Sequence, residues 1–219
     1  MNDNQAGSIL ACPAHNLTSA RVFNCPCTIG VLADTHIWST GARQLPEPVI
    51  GLFQRAGVNL ILHAGDLNDV SVLERLSEIA PVIAVAGNND DANLQRTLNP
   101  RERIRVGAHH IGLVHGHGGR SARDAAFSAF PEGCDLVVYG HSHIPRIEQQ
   151  GTTTYFNPGS PADRRWSPHF GMGIIRCDDQ GLHPRIIVFS RAIELDSIQP
   201  VLPGKDQRPK PAKIDNDPV

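Results

Sequence analysis

Residues 28–36 read Thr28-Ile29-Gly30-Val31-Leu32-Ala33-Asp34-Thr35-His36. A short apolar run that stops abruptly at a polar cluster is the pattern of a buried strand presenting side chains at its carboxyl end. The pattern recurs twice downstream. Asn59 to Ala64 is a second run, ending at Gly65-Asp66-Leu67-Asn68, and Pro81 to Ala86 a third, ending at Gly87-Asn88-Asn89-Asp90. Helical signals separate the runs. Pro46 and Pro48 suit the first turn of a helix with Val49, Ile50, Leu52 and Phe53 on one face. Asp69 is placed to cap a helix through about Ile79, because its carboxylate can accept the orphan amides of a first turn.

The pattern changes beyond residue 100. Arg103 to Val106, Ile111 to Val114, Asp135 to Tyr139, Thr152 to Phe156, Gly171 to Arg176 and Arg185 to Phe189 are strand candidates, with one helical stretch near Arg120 to Phe130. Alternating strand and helix followed by strand-rich sequence predicts an α/β fold of two packed mixed sheets with helices outside. Residues 1–26 are polar and aperiodic and read as a flexible extension; 27–202 form the folded domain; 203–219, proline-rich with mixed charge, read as a disordered tail.

Composition bounds the function classes. The 219 residues include 40% hydrophobic and 19% charged side chains, and 20 Lys+Arg against 22 Asp+Glu leave a net charge of −2. That describes an ordinary globular protein without the basic footprint of a dedicated duplex nucleic-acid binder. No apolar run approaches the roughly 18 residues of a membrane span. The N-terminus lacks a basic and apolar secretory pattern, and five cysteines, an odd number, fit a reducing compartment. A cytoplasmic protein is the expectation, with the close pair Cys25-Pro26-Cys27, which lacks the second pair a zinc site needs, read as surface or strand-edge thiols. Histidine is the outlier, with 11 residues in a chain only 5% aromatic.

Those histidines fall where the strands end. Two later clusters, His115-Gly116-His117 and Gly140-His141-Ser142-His143, also follow β-type runs. Ligands of open α/β sheets bind beyond the carboxyl ends of strands, so five polar clusters should meet in one crevice. Carboxylate, amide oxygen and imidazole without thiolate suit Mn²⁺, Fe²⁺ or Zn²⁺. Seven donors (Asp34, His36, Asp66, Asn88, His115, His141 and His143) are too many for one tetrahedral ion and suit two ions sharing a bridging carboxylate. Paired ions of that kind clamp the attacking and leaving oxygens of phosphoryl displacement, which makes phosphoester hydrolysis a reading of the residues themselves.

In this order, D-x-H, G-D-x-x-D (Gly65, Asp66, Asp69), G-N-x-D, H-G-H and G-H-[ST]-H resemble the calcineurin-like metallophosphoesterase superfamily, specifically its small single-domain phosphodiesterase branch, over about Ile29 to Trp166. The resemblance implies a four-layer αββα sandwich and two divalent ions, Mn²⁺ foremost, with Fe²⁺, Ni²⁺ or Zn²⁺ as alternatives. It assigns Asp34, His36 and His143 to one ion and Asn88, His115 and His141 to the other, with Asp66 bridging and a metal-bound hydroxide as nucleophile. Asn157-Pro158-Gly159-Ser160 resembles the branch's downstream segment, and Arg164 or Arg165 behind it could reach a phosphate oxygen.

One position departs from the wider superfamily. Where many members carry a histidine thought to protonate the leaving group, this chain has Asn89, and an amide cannot supply that proton. His117 or a metal-bound water is the candidate donor, Asp90 a weaker one, and substrates with good leaving groups, such as activated aryl diesters, should be preferred. His63 is a candidate to support a ligand from behind. The expected function is a dinuclear metal-dependent phosphodiesterase acting on a small phosphodiester; a homo-oligomer stays open. The alternatives are a scaffold of the same fold, as in the retromer subunit similar to this family, a phosphomonoesterase, or a nuclease for single strands. All seven ligands are intact, which a scaffold would not require.

Overall fold

In the computed structural model, which describes residues 21–199, the three runs of the amino-terminal half are strands: β2 (Cys27–Leu32), β3 (Leu60–His63) and β4 (Val82–Ala84), preceded by β1 (Arg21–Phe23). Between them lie α1 (Glu47–Arg55), α2 (Ser71–Ser77) and, after β4, α3 (Ala92–Thr97). The second half contributes β5 (Arg101–Val106), β6 (His109–Val114), α4 (Ala122–Ser128), β7 (Leu136–Tyr139), β8 (Arg146–Gln150), β9 (Thr153–Asn157), β10 (Phe170–Asp178) and β11 (Gly181–Phe189). A 3₁₀ turn at Ala192–Ser197 follows.

Two mixed sheets result. The five-stranded sheet has the order β11-β10-β2-β3-β4, with β2, β3 and β4 parallel; the six-stranded sheet has the order β1-β5-β6-β7-β9-β8. Strand alternation explains the layering. Ile29, Val31 and Ala33 face the other sheet and pack with Ile104, Val106, Leu113 and Val138, whereas Leu32 and Ile61 face outward to Val49, Leu52 and Phe53 of α1 and Leu76 of α2. On the far side, Ala122 and Ala126 of α4 cover Val137 and Tyr139. The layers are therefore helix, sheet, sheet, helix. Helix α1 lies so close to β2 that a Cβ on Gly30 would stand 2.7 Å from the Phe53 ring.

Several expectations need correction. β1 and Cys25 lie inside the segment read as a flexible extension, so the ordered fold begins ahead of residue 27. Three residues, Arg21 to Phe23, pair parallel with Ile104 to Val106 along a sheet edge, too short a stretch to show periodicity. Residues 1–20 and the tail from Pro203 lie outside the described residues. Asp69 does not cap α2, whose N-cap position is Val70; its carboxylate accepts from the Ser71 amide at 2.9 Å and from Ser39 across the chain. Asp91 is a true cap, accepting from Leu94 of α3 at 2.7 Å. The cysteines are not all free: Cys25 is disulfide-bonded to Cys177, 152 residues away. This bond removes the cysteine argument for a reducing compartment. Among the described residues no helix is long and apolar enough to cross a membrane.

Candidate metal centre

Strands β2, β3, β4, β6 and β7 end on one side of the two sheets, and the loops leaving them meet there. Hydrogen bonds lace these loops together: the Asp34 amide donates to the Gly65 carbonyl, the His36 amide to Asp66, and the Gly140 amide to His115, each at 3.0 Å. Buried Asp90 takes three amides at once, from Asp66 at 3.2 Å, Asn68 at 2.8 Å and Gly87 at 2.6 Å. A carboxylate committed to three amides is a clamp on the β3 and β4 loops, which replaces its expected candidacy as a proton donor. Gly87 fits because any side chain there would run into Asp66.

Backbone strain concentrates in the same place. The non-glycine residues with positive φ among those described are Asp34, His36, Asp66, Asn68, His141, His143 and Arg165, with φ between 45° and 80°. Each such residue costs roughly 1–2 kcal/mol, and strain of this kind persists where surrounding structure enforces a functional geometry. All seven lie on the loops around the crevice.

The side chains form two groups. Ligand atoms of Asp34, His36 and His143 lie within 4.8 Å of one another, as do those of Asp66, His115 and His141. Asp66 touches both: its Oδ2 is 3.5 Å from His36 Nε2 and 3.2 Å from His115 Nε2. Asn88 Oδ1 stands 3.2 Å from His115 Nε2 on the second group. In three of the histidines the outer nitrogen has a partner: His36 Nδ1 with Asn68 Oδ1 at 3.2 Å, His115 Nδ1 with the Ala64 carbonyl at 2.7 Å, and His143 Nδ1 with the Asp163 carbonyl. A carbonyl or amide oxygen can only accept, so Nδ1 keeps the hydrogen and Nε2 turns a lone pair inward. His36 Nε2 and His143 Nε2 are 3.2 Å apart. Two nitrogen ligands about 2.1 Å from one ion stand about 3.0–3.4 Å apart at octahedral to tetrahedral angles.

Asp34 adds a second mark. Its Oδ1 accepts from the His141 amide at 3.0 Å, while its fully buried Oδ2 has no hydrogen-bond partner. A buried carboxylate oxygen without a donor is costly unless a cation faces it. Burial pushes the Asp34 carboxyl up to about 7, and burial pushes His143 down to about 4 and His36 and His141 downward. Asp66 goes the other way: burial opposes its charge, but the closeness of His115 and the two hydrogen bonds donated by Asn89 hold its carboxyl well below the usual range. Neutral imidazoles, favoured at His36, His141 and His143, and an ionised Asp66 carboxylate are the forms a divalent cation binds, whereas at His115 the Asp66 and Asp34 carboxylates outweigh burial and shift the ring upward. These residues fit divalent metal.

The arginines separate. Arg164 directs its guanidinium away, onto the carbonyls of Ser167 and Pro168 at 3.1 and 3.2 Å, whereas Arg165 Nη2 stands 3.2 Å from His36 Nε2. His117 is exposed, its ring 5.4 Å from that of His115, and it lines a cavity of about 330 Å³ with Asn88 and Gln95. Asn157 and Ser160 are structural: Asn157 Nδ2 donates to the Gly140 carbonyl at 2.8 Å and Ser160 Oγ to the Asp34 carbonyl at 2.7 Å. His63 Nε2 meets Thr35 Oγ1 at 3.2 Å, behind the loop that carries Asp34 and His36. The role of Asn89 is missed by sequence reasoning. Its amide Nδ2 donates to Asp66 Oδ2 at 2.7 Å and its backbone amide to Oδ1 at 2.8 Å, so it orients the Asp66 carboxylate. Its position directly after Asn88, opposite Asp66, was the available signal.

An αββα sandwich with a buried nitrogen and oxygen cluster at its strand ends defines a metal-binding phosphoesterase architecture. Residues 28–180 match the model of the calcineurin-like phosphoesterase superfamily domain, and the chain belongs to that superfamily. Over 162 residues it is 35% identical to a probable metallophosphoesterase of Methanothermobacter thermautotrophicus, covering 73% of this chain and 91% of that protein. It is 28% identical over 175 residues to phosphodiesterase YfcE of Escherichia coli K12, covering 68% and 93%. Among solved structures, an archaeal phosphodiesterase superimposes with a TM-score of 0.60 at 24% identity, over 74% of this chain and 99% of that one.

Proposed function

We propose that this protein is a dinuclear metal-dependent phosphodiesterase. Asp34, His36 and His143 would hold one ion and Asn88, His115 and His141 the other, with Asp66 shared. The observation that carries the reading is the position of Asp66 Oδ2, 3.5 Å from His36 Nε2 in one group and 3.2 Å from His115 Nε2 in the other. The donor set, oxygen and imidazole without thiolate, favours Mn²⁺, with Fe²⁺, Ni²⁺ or Zn²⁺ as alternatives. Divalent ions held there supply Lewis acidity and positive charge to a phosphoryl group and lower the pKa of bound water.

The chain's own residues do the rest. Arg165, beside His36, is placed to take a phosphoryl oxygen. Asn89 holds Asp66 in its shared orientation. His117, exposed in the cavity beside Asn88, is the side chain available to protonate a leaving oxygen, and because the amide of Asn89 cannot give a proton, aryl leaving groups should be favoured over alkyl ones. The open cavity beside Asn88 and His117 leaves room for a second ester arm, which favours a diester over a monoester. A scaffold would have no use for seven inward-facing donors or for the strained backbone that aims them.

The test strips metal with a chelator, adds back Mn²⁺, Ni²⁺, Zn²⁺ or Mg²⁺, and measures bound metal per chain together with turnover of bis(p-nitrophenyl) phosphate, p-nitrophenyl phosphate and alkyl diesters. Two ions per chain and diester turnover above monoester turnover are expected. Asp66→Asn should lose nearly all diesterase activity and one ion while keeping its circular dichroism; wild-type turnover in that variant would refute the shared-ligand assignment.

A further inference from the structure

The sequence has only two tryptophans, and both are exposed: Trp38 is 46% and Trp166 is 96% exposed. Tryptophan carries the largest apolar surface of any side chain, so leaving both in water in a chain poor in aromatics is unfavourable without a partner. Their placement names the partner's location. Trp38 lies two residues after His36, on the loop held by the His36 and Ile37 amides on Asp66 and Leu67. Trp166 directly follows Arg165, whose guanidinium is 3.2 Å from His36 Nε2. Arg43 ties the two loops together, donating to the His36 carbonyl at 3.1 Å and to Asp163 Oδ2 at 3.0 Å. Ile144, next to His143, is also exposed.

The opposite side of the centre is chemically different. There the cavity behind Asn88 is lined by Gln95, His117, Gly87, Ala86 and Pro100, with no tryptophan, tyrosine or phenylalanine. A phosphodiester has two arms, and the two sides of the centre would meet them with unlike chemistry.

We infer that Trp38 and Trp166 form an aromatic rim that stacks on a planar arm of the substrate, with Arg165 on the adjoining phosphate, so that the substrate is a nucleoside phosphodiester. This rests on the phosphodiesterase reading above. Every nucleobase offers a π-face to indole, whereas an alkyl or glyceryl arm does not, and stacking of this kind is sequence-tolerant. Arg165, at a strained φ of 45°, has its side chain toward His36, and the next residue, Trp166, stands in solvent.

The experiment compares wild type, Trp166→Ala and Trp38→Ala on thymidine 5′-(p-nitrophenyl phosphate) and methyl p-nitrophenyl phosphate, which share a leaving group and differ in the other arm. Each variant should lower the ratio of kcat/KM for the thymidine ester to that for the methyl ester by about tenfold. As a readout independent of turnover, thymidine 5′-monophosphate should quench intrinsic tryptophan fluorescence in wild type and do so less in either variant. An unchanged ratio, or no quenching, overturns the inference. So does binding of anionic lipid vesicles that is lost in Trp166→Ala without any nucleotide effect, since the rim would then serve a membrane. If wild type turns over no diester with any metal, the phosphodiesterase reading falls, and the quenching measurement still decides whether the rim binds a nucleotide.

Discussion

His63 shows how a single buried side chain ties stability to pH. It is fully buried, its Nδ1 has no partner, and burial pushes its pKa down to about 3 from an ordinary 6.5. A lowered pKa means the unfolded chain takes up the proton first. The folded state is therefore favoured above pH 6.5, and that advantage drains away as the pH falls toward 3. Between pH 7 and 4.5 the metal-free protein should lose about 2–3 kcal/mol through this residue. Urea unfolding at both values should show a smaller loss for His63→Gln, whose amide can still meet Thr35; an equal loss would clear His63 of the effect. The residue types of the site were legible in the sequence because five clusters of aspartate, asparagine and histidine fall at strand ends, where a single such cluster would signal only a turn. The partners were not. That Asn89 serves Asp66, that Asp90 gathers three amides and that Arg164 turns away from the crevice while Arg165 faces it depend on how the folded loops direct their side chains, which spacing along the chain does not encode.

At the level of elements, α1 fits tightly on β2. A methyl group on Gly30 would meet the Phe53 ring at 2.7 Å, and Phe53 is fully buried between helix and sheet with no room to withdraw. Gly30→Ala should therefore destabilise the protein by about 1–3 kcal/mol, measured as a lower midpoint in thermal unfolding, with Phe53→Leu partly rescuing it. A midpoint equal to wild type would mean that α1 can slide on the sheet. Strands with buried faces, such as β3 and β7, announced themselves as apolar runs. β8 did not: Arg146 to Gln150 is exposed along nearly its whole length and pairs at the sheet edge beside β9, so its sequence, Arg-Ile-Glu-Gln-Gln, carries no hydrophobic signal. β1 was hidden by its length, and α3 by a helix of six residues with one buried side chain, Leu94. Asp69 shows why capping rules misplace helix starts: the same carboxylate that suits an N-cap found a better set of donors in Ser39 and Ser71.

Across the whole molecule, the disulfide between Cys25 and Cys177 joins the segment linking the two sheets to β10, at the end of β2 remote from the metal centre. Closing a loop of 152 residues restrains the unfolded chain by about 5 kcal/mol in the chain-entropy account. Calorimetry with and without a thiol reductant should show a clearly lower transition temperature in the reduced protein, and Cys177→Ser should match the reduced form; equal temperatures would mean the bond adds nothing. By itself the sequence determined the α/β class and the order of β2, α1, β3, α2 and β4, and it offered seven candidate donors, because burial imposes a period on strands and the chemistry of a cation restricts its ligands. Only the tertiary structure decided that residues as far apart as His36 and His143 face one point, that Asp66 stands between both groups, that Cys25 finds Cys177, and that both tryptophans remain in solvent beside the centre. Those are relations between chain segments brought together by packing two sheets face to face, and no local pattern along the chain carries them.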